Sequence, residues 1–465
     1  MVPDLALIEI FDFYMTEALD FDPFRHNREA WIILAHVCRK WRDIIFGSPY
    51  RLNVRLYFKS RRSVRAMLDI WPHFPIDILG SELRAWNVDN IVAALEHTDR
   101  IHKIELWDSS KFHLEQALAA MQKPFPSLTE LAVDFFSETT ALVVPDSLLS
   151  GSAPLLRSLR LRRIQFPLPL LQNLLLSATK LVQLRIRNIS DSGFISPEAM
   201  VACLSALTKL EEFELECESP RTSTLRSRRL LPSTRCVLPA LTSLRFNGSY
   251  EYIEDLVIPI DSPLLDNLDV IVFHRPELAT PNLAQFVDRT PKLKALHEAR
   301  IVFGDSGFSG VSVSLSGTRP RRLDFSVTRT PSDQLSVMTQ LCISSFLRTF
   351  IPVIKQLYVL EIGSQFLFQL AVSQWLDLLG PFTSVEDLYL PRNFSSQIVL
   401  TLQGIVGEGM TELLPSLMNI FLEPELAPGL VEEAIGQFVA ALCPSSRPIA
   451  VLKWDRGPWF QNEDQ

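Results

Sequence analysis

The strings Leu156-Arg-Ser-Leu-Arg-Leu161 and Leu181-Val-Gln-Leu-Arg-Ile186 share one spacing, apolar-x-x-apolar-x-apolar. The last two apolar positions stand two apart, the period of one face of a strand, and the first sits where a turn would enter that strand. One such string carries little weight, but this one returns. It recurs as Ile101/Ile104/Leu106, Leu128/Leu131/Val133, Leu210/Phe213/Leu215, Leu241/Leu244/Phe246 and Leu265/Leu268/Val270, and more weakly as Leu293/Leu296 and Leu323/Phe325. Leu357/Leu360/Ile362, Val385/Leu388/Leu390 and Leu417/Ile420/Leu422 complete the series. From Ile104 to Leu323 the central residues lie 24 to 31 positions apart, and the later gaps are 37, 28 and 32. Such a period predicts one strand per repeat in a parallel sheet, with a return segment between strands. Residues 169–176, 197–207, 281–287 and 432–442 have the apolar spacing of short helices. The expected fold class is therefore α/β, a solenoid with parallel strands on its concave face and helices on its convex face.

The chain has 465 residues, of which 47% are hydrophobic, and a mean hydropathy of +0.15. That is too long for one ordinary core, and it excludes a largely disordered chain. A net charge of -8 and a pI near 5.6 have the wrong sign for a generic phosphate-backbone binder, so no nucleic-acid partner is expected. Asp4, Glu9 and Asp12 interrupt the first apolar run, unlike a secretory signal, which predicts an intracellular protein, cytoplasmic or nuclear. The charge-free stretches 164–179, 362–376 and 393–407 are too short for a membrane helix, so no membrane partner is expected. Cys38, Cys203, Cys217, Cys236, Cys342 and Cys443 form no CxxC pair and read as buried free thiols. Asn188, Asn247 and Asn393 stand in N-x-S sequons, read as chance matches without a secretory route. There is no HExxH pair, no GxSxG elbow and no Cys/His set with zinc spacing, so neither catalysis, nor a metal, nor a cofactor is expected.

At the N-terminus, Pro3 precedes a helix-period apolar run, where its fixed φ suits a helix start. Trp31, Leu34, Cys38, Trp41 and Ile45 follow at steps of one helix face. The combination Pro3, Leu7, Ile10 and Phe11, then Val37-Cys-Arg-Lys-Trp41-Arg42 with Ile44, then Ser48, Pro49, Leu52 and Leu56, resembles an F-box-like domain. The series of strings behind it resembles the irregular leucine-rich repeats that follow F-boxes in many substrate receptors. The resemblance implies a three-helix module docking on the Skp adaptor of an SCF ubiquitin ligase, and through it on a cullin. It assigns the adaptor contacts to Pro3, Leu7, Phe11, Val37, Cys38, Trp41 and Ile44. It further implies a protein substrate held on the repeats, with catalysis supplied by another enzyme. The alternative is a leucine-rich-repeat binding protein whose N-terminal helices only cap the first repeat. The expected division is a helical F-box-like domain over residues 1–60, a helical linker or cap over 61–100, about twelve irregular repeats over 101–450, and a tail over 451–465.

Residues between and beside the inward strand positions face outward, where no core requirement constrains them. In order along the strands they are Lys103, Glu105, Trp107; Glu130, Ala132, Asp134; Ser158, Arg160, Arg162; Gln183, Arg185, Arg187; Glu212, Glu214, Glu216; and Ser243, Arg245, Asn247. Parallel strands lie ~4.8 Å apart, so Arg160, Arg162, Arg185 and Arg187 are expected to cluster. With Glu214 and Arg245 they are the candidate substrate contacts. Two readings stand side by side. The four arginines grip an acidic or phosphorylated segment, or Arg185 and Arg187 pair with Glu212 and Glu214 across adjacent strands as a solvated ladder. Arg221, Arg226, Arg228, Arg229 and Arg235 lie in a stretch with loop composition, and the glycines Gly304, Gly307 and Gly310 read as a flexible insertion rather than a phosphate loop.

Overall fold

The computed structural model describes residues 3–20, 30–48, 56–58, 64–65, 68, 74–81, 88–108, 110–137, 142–189, 194–217, 235–273, 281–305, 309–317, 322–328, 354–362, 379–390, 414–423 and 449–454. The chain is a mixed α/β protein built on mostly parallel strands. It divides into two compact units, Met1–Ile195 with Ala202–Leu210, and Ser196–Val201 with Glu211–Gln465.

The first unit begins with helices α1 (Asp4–Asp20), α2 (Ala30–Val37) and α3 (Arg39–Gly47). The single helix face expected over 31–45 is broken at Cys38, whose extended backbone (φ -160°, ψ 168°) separates α2 from α3. The Cys38 carbonyl accepts from the Arg42 N–H (3.1 Å), and Arg42 Nε donates to the Ala35 carbonyl (3.1 Å), which ties the two helices across the break. Leu7, Phe11, Trp31, Leu34 and Ile45 are buried between the helices. Trp31 and Phe46 both meet Phe74 edge-on, at centroid distances of 5.5 and 5.6 Å, which ties the helices to the start of the sheet.

That sheet comprises β1 (Leu56–Phe58), β2 (Ile76–Ser81), β3 (Ile101–Asp108), β4 (Glu130–Phe135), β6 (Ser158–Arg162) and β8 (Gln183–Ile189), all parallel; β5 (Leu142–Val143) and β7 (Ile164–Gln165) form a small pair beside it. The sheet starts at Leu56, so the segment expected as a helical linker contributes a full strand, β2, as well as the helix Val88–Leu95. In β2 the repeat pattern lacks two of its three apolar positions, Pro75 standing three before Ile78 and Gly80 opposite Leu106. Two buried rows cross the unit on the core face: Ile78, Ile104, Leu131, Leu159 and Leu184, and beside them Leu106, Val133, Leu161 and Ile186. The turn residues Leu128, Leu156 and Leu181 are buried as well. The helix Leu168–Ser177, with Pro169 in its first turn, buries Leu170, Leu171, Leu174 and Leu175.

The second unit contains β9 (Glu212–Cys217), β10 (Cys236–Val237), β11 (Ser243–Gly248), β12 (Ile260–Asp261), β13 (Asn267–Phe273), β14 (Glu298–Asp305), β15 (Ser309–Ser316), β16 (Arg322–Thr328), β17 (Gln356–Ile362), β18 (Asp387–Leu390), β19 (Asn419–Leu422) and β20 (Ala450–Lys453). Its sheet runs in the order β9-β11-β13-β16-β15-β14-β17-β18-β19-β20, and β10 and β12 pair separately. Three expectations are corrected here. The glycine-rich segment is the turn end of an antiparallel hairpin: Gly304 pairs with Gly310, and β15 runs antiparallel to both β14 and β16. The hairpin forms because Ala299 and Ile301 on one arm and Val313 and Leu315 on the other are buried at period two. The inward residues of β17 are Leu357 and Val359, with Ile354 in the turn, instead of Leu360 and Ile362; Leu357 pairs with Leu388, so the string there is shifted by three positions. Lastly, β20 extends the sheet into the residues expected as tail.

Among the helices of this unit, Tyr250–Val257 is capped by Ser249, whose hydroxyl accepts from the Tyr252 N–H, and it packs beside Pro281–Asp288. Buried Glu254 accepts from the backbone N–H groups of Asn282 (3.0 Å) and Leu283 (2.9 Å), so one helix supplies the N-terminal cap of the next. The helical segment expected at 432–442 and the arginines from Arg221 to Arg229 lie outside the described residues. Cys38 is exposed rather than buried, because it occupies the break between two helices; Cys203 is buried, and burial pushes its thiol up.

Candidate functional site

Three surfaces present side chains that the core does not use. The first is the N-terminal helical module. Of the residues expected to contact an adaptor, Leu7 (6% exposed) and Phe11 (0%) are core instead, Phe11 meeting the Trp41 ring edge-on at 4.8 Å. A side chain that closes a three-helix core is not free for a partner, which removes both from the contact set. Pro3, Val37 and Cys38 are exposed, while Trp41 and Ile44 are half-buried. Ile44 lines a groove with Asp4, Ile8, Lys40 and Asp43, where Lys40 and Asp4 form an exposed ion pair at 2.8 Å. Among the described residues of the module, the large apolar side chains turned to solvent are Leu5, then Ile10, Phe13 (70%) and Tyr14 at i, i+3 and i+4 on α1, and Ile33 and Val37 (57%) at i and i+4 on α2. Both stripes of α1 have helical period, and nothing local in the sequence says which one faces the core.

The second surface is the outward face of the first unit's sheet. Its register aligns Glu105, Ala132, Arg160 and Arg185 in one row, and Trp107, Asp134, Arg162 and Arg187 in the next. The four arginines thus form a two-by-two block on neighbouring strands β6 and β8. Asp134 stands at its edge. Burial pushes the Asp134 carboxyl up, against the opposing pull of Arg160, Arg162 and Arg187, and its Oδ1 is buried with no hydrogen bond. The Arg162 guanidinium lies over the Phe136 ring at 5.4 Å. Lys103 bridges Glu105 (2.8 Å) and Glu130 (2.7 Å); burial pulls the Lys103 ammonium down, but those two carboxylates outweigh it and hold it above its ordinary value. The remaining two candidates lie in the second unit. Glu214 is buried, and Arg245 reaches Asp269 at 2.8 Å and Glu214 at 3.9 Å, so both are engaged within their own sheet. Burial also pushes the Asp269 carboxyl up, partly offset by Arg245.

The third surface was not expected. On the outward face of the second unit's sheet, Tyr358, Tyr389 and Phe421 occupy one row on β17, β18 and β19. Tyr358 and Tyr389 stack at 4.0 Å and 11°, Tyr389 and Phe421 at 4.3 Å and 7°. Trp454 lies along the row, edge-on to Tyr389 at 5.3 Å and tilted to Tyr358 at 5.9 Å, and Arg300 caps the Tyr358 end at 5.6 Å. The two tyrosine hydroxyls are hydrogen-bonded to each other, and burial pushes both up. Alongside runs the polar row Gln356, Asp387 and Asn419, in which Asp387 accepts from Gln356 Nε2 (3.3 Å) and Asn419 Nδ2 (2.8 Å). A signal for this row exists in the sequence: an aromatic stands between the inward residues of three successive strands, Leu357 and Val359, Leu388 and Leu390, Ile420 and Leu422. The shifted reading of β17 put Glu361 in that place and broke the row.

No described helix is long and apolar enough to cross a membrane. The chain matches no protein-family model and no curated protein sequence.

Proposed function

We propose that this chain is the substrate-recognition subunit of an SCF-type ubiquitin ligase, an F-box-like module joined to a leucine-rich-repeat-like solenoid. The observation that carries this reading is the set of apolar side chains Ile10, Phe13 and Tyr14 on α1 with Ile33 and Val37 on α2, which these two helices turn to solvent. Helices that served only to cap a sheet would turn such side chains inward, since exposed apolar patches mark interaction sites. The adjoining string from Val37 to Ile44 that resembles the F-box signature points the same way. For the repeats, the support is a parallel strand returning about every 27 residues with two buried apolar positions each. In this role the protein supplies no nucleophile: it holds an adaptor at one end and a substrate on the outward sheet face, and transfer is promoted by local concentration. The arginine block is the substrate contact this reading favours in the first unit.

The test is binding of a purified Skp adaptor to the full chain, to the double variant Ile33→Asp and Val37→Asp, and to Phe11→Ala as a core control. Binding by the parent and its loss in the double variant, with an unchanged melting curve, is the expected result. No binding by the parent would sink the ubiquitin role and leave a repeat protein that binds partners without it.

A further inference from the structure

We infer that the aromatic row of the second unit is a docking surface for a basic, extended segment of a partner protein, one carrying arginine or lysine side chains. The inference does not depend on the adaptor reading, because it uses only β14 and β17 to β20.

A ladder of three stacked rings stabilises a sheet, but a sheet gains as much from β-branched or long polar pairs at outward positions. What singles out this row is its chemistry. Tyr358, Tyr389 and Phe421 are half-buried, the two tyrosines against Trp454. Their rings stack on one another, and the one described cation over the row, Arg300, sits at the Tyr358 end, which shows the kind of group the row accepts.

Charge points to the same partner. Arg300 is neutralised by Glu298 at 2.7 Å, and Lys355 by Glu386 at 2.9 Å. Asp387 differs: both its oxygens accept hydrogen bonds, from the neutral amides of Gln356 and Asn419. These two amides hold the carboxylate in place without cancelling its charge. The negative charge lies beside Tyr389, where it acts on the phenol electrostatically together with Glu298. An oriented carboxylate beside the row binds a guanidinium or an ammonium by a charge-assisted hydrogen bond; both faces of Tyr389 are taken by Tyr358 and Phe421, so the cation–π contact of a basic side chain falls on the outer face of Phe421. Leu452 on β20, exposed and paired with Phe421, adds apolar surface against which the stem of such a side chain can lie.

The test uses the full chain and two labelled nonapeptides, Gly-Arg-Ser repeated three times and its Glu-for-Arg counterpart, with binding read by fluorescence anisotropy. The arginine peptide is expected to bind, and the glutamate peptide not to. Asp387→Asn, which keeps an oxygen for the flanking amides and removes the charge, is expected to weaken binding about three- to tenfold; Phe421→Ala is expected to weaken it further, with folding checked by thermal melting. Glu115→Gln, at an exposed acid in the first unit, makes the same change in net charge and is expected to leave binding unchanged. No binding of the arginine peptide, equal binding of both peptides, or an equal loss in Asp387→Asn and Glu115→Gln would overturn the inference, the last by reducing the effect to the overall negative charge. A protein that binds the Skp adaptor but not the arginine peptide would refute this inference and leave the adaptor reading standing.

Discussion

The outward faces of the two units are built on the same strand positions and carry opposite chemistry. In the first unit the residue between the inward pair is Arg160 on β6 and Arg185 on β8; in the second it is Tyr358, Tyr389 and Phe421 on β17 to β19. The core rows beneath are interchangeable by comparison, Leu159 and Leu184 in one, Leu357 and Leu388 in the other, all fully buried. The inward positions satisfy one requirement everywhere, removal of apolar surface from water, while the outward positions are released from it and diverge.

That contrast can be broken at three depths. If the inward rows do the same work in both units, Leu159→Ala and Leu388→Ala should each cost about 2–5 kcal/mol, as expected for a buried leucine that leaves a cavity. Chemical denaturation of each unit's transition measures this, and a loss in only one would show that the rows are not equivalent. A smaller effect is expected from Tyr389→Phe, which leaves the ring stack and removes the hydroxyl that Tyr358 bonds; the cost is about 0.5–1.5 kcal/mol, read from the same denaturation curve. If stacking alone held the row, this variant would equal the parent.

The third effect is a matter of sign. Burial raises the folded-state pKa of Asp134 above its ordinary value of 3.8, against the pull of Arg160, Arg162 and Arg187. A carboxyl raised in this way contributes stability below its unfolded pKa and loses it as pH rises through the folded value. The stability of Asp134→Asn relative to the parent should therefore increase from acid pH to neutrality, as measured by urea midpoints. The opposite trend would mean that the arginines outweigh burial and that the block is a tight internal network.

Much of this architecture was legible because period two is a local property. Leu131, Leu159, Leu184, Leu244 and Leu268 are inward as their spacing indicates, and the outward register from Lys103 to Arg187 follows from it. The errors share a cause. At β17 two overlapping strings fit the same pattern, Ile354/Leu357/Val359 and Leu357/Leu360/Ile362, and only pairing with Leu388 selects the first. At α1 two helical stripes compete, and only packing against Trp41 selects Leu7 and Phe11 as core, exposing Ile10 and Phe13. At β14 and β15 a hairpin replaces the expected flexible insertion, with Gly304 and Gly310 opposite each other in an antiparallel pair.

By itself, the sequence determined that parallel strands recur, which side chains most of them bury, and that a short helical module precedes them; these follow from the hydrophobic effect acting on local periodicity. Only the tertiary structure decided which of two equally periodic stripes faces a neighbour, where the sheet begins and ends, and that three aromatic rings from strands about 30 residues apart stack into one row. Those outcomes depend on cross-strand register and on the packing of one element against another, and neither is encoded within a single repeat.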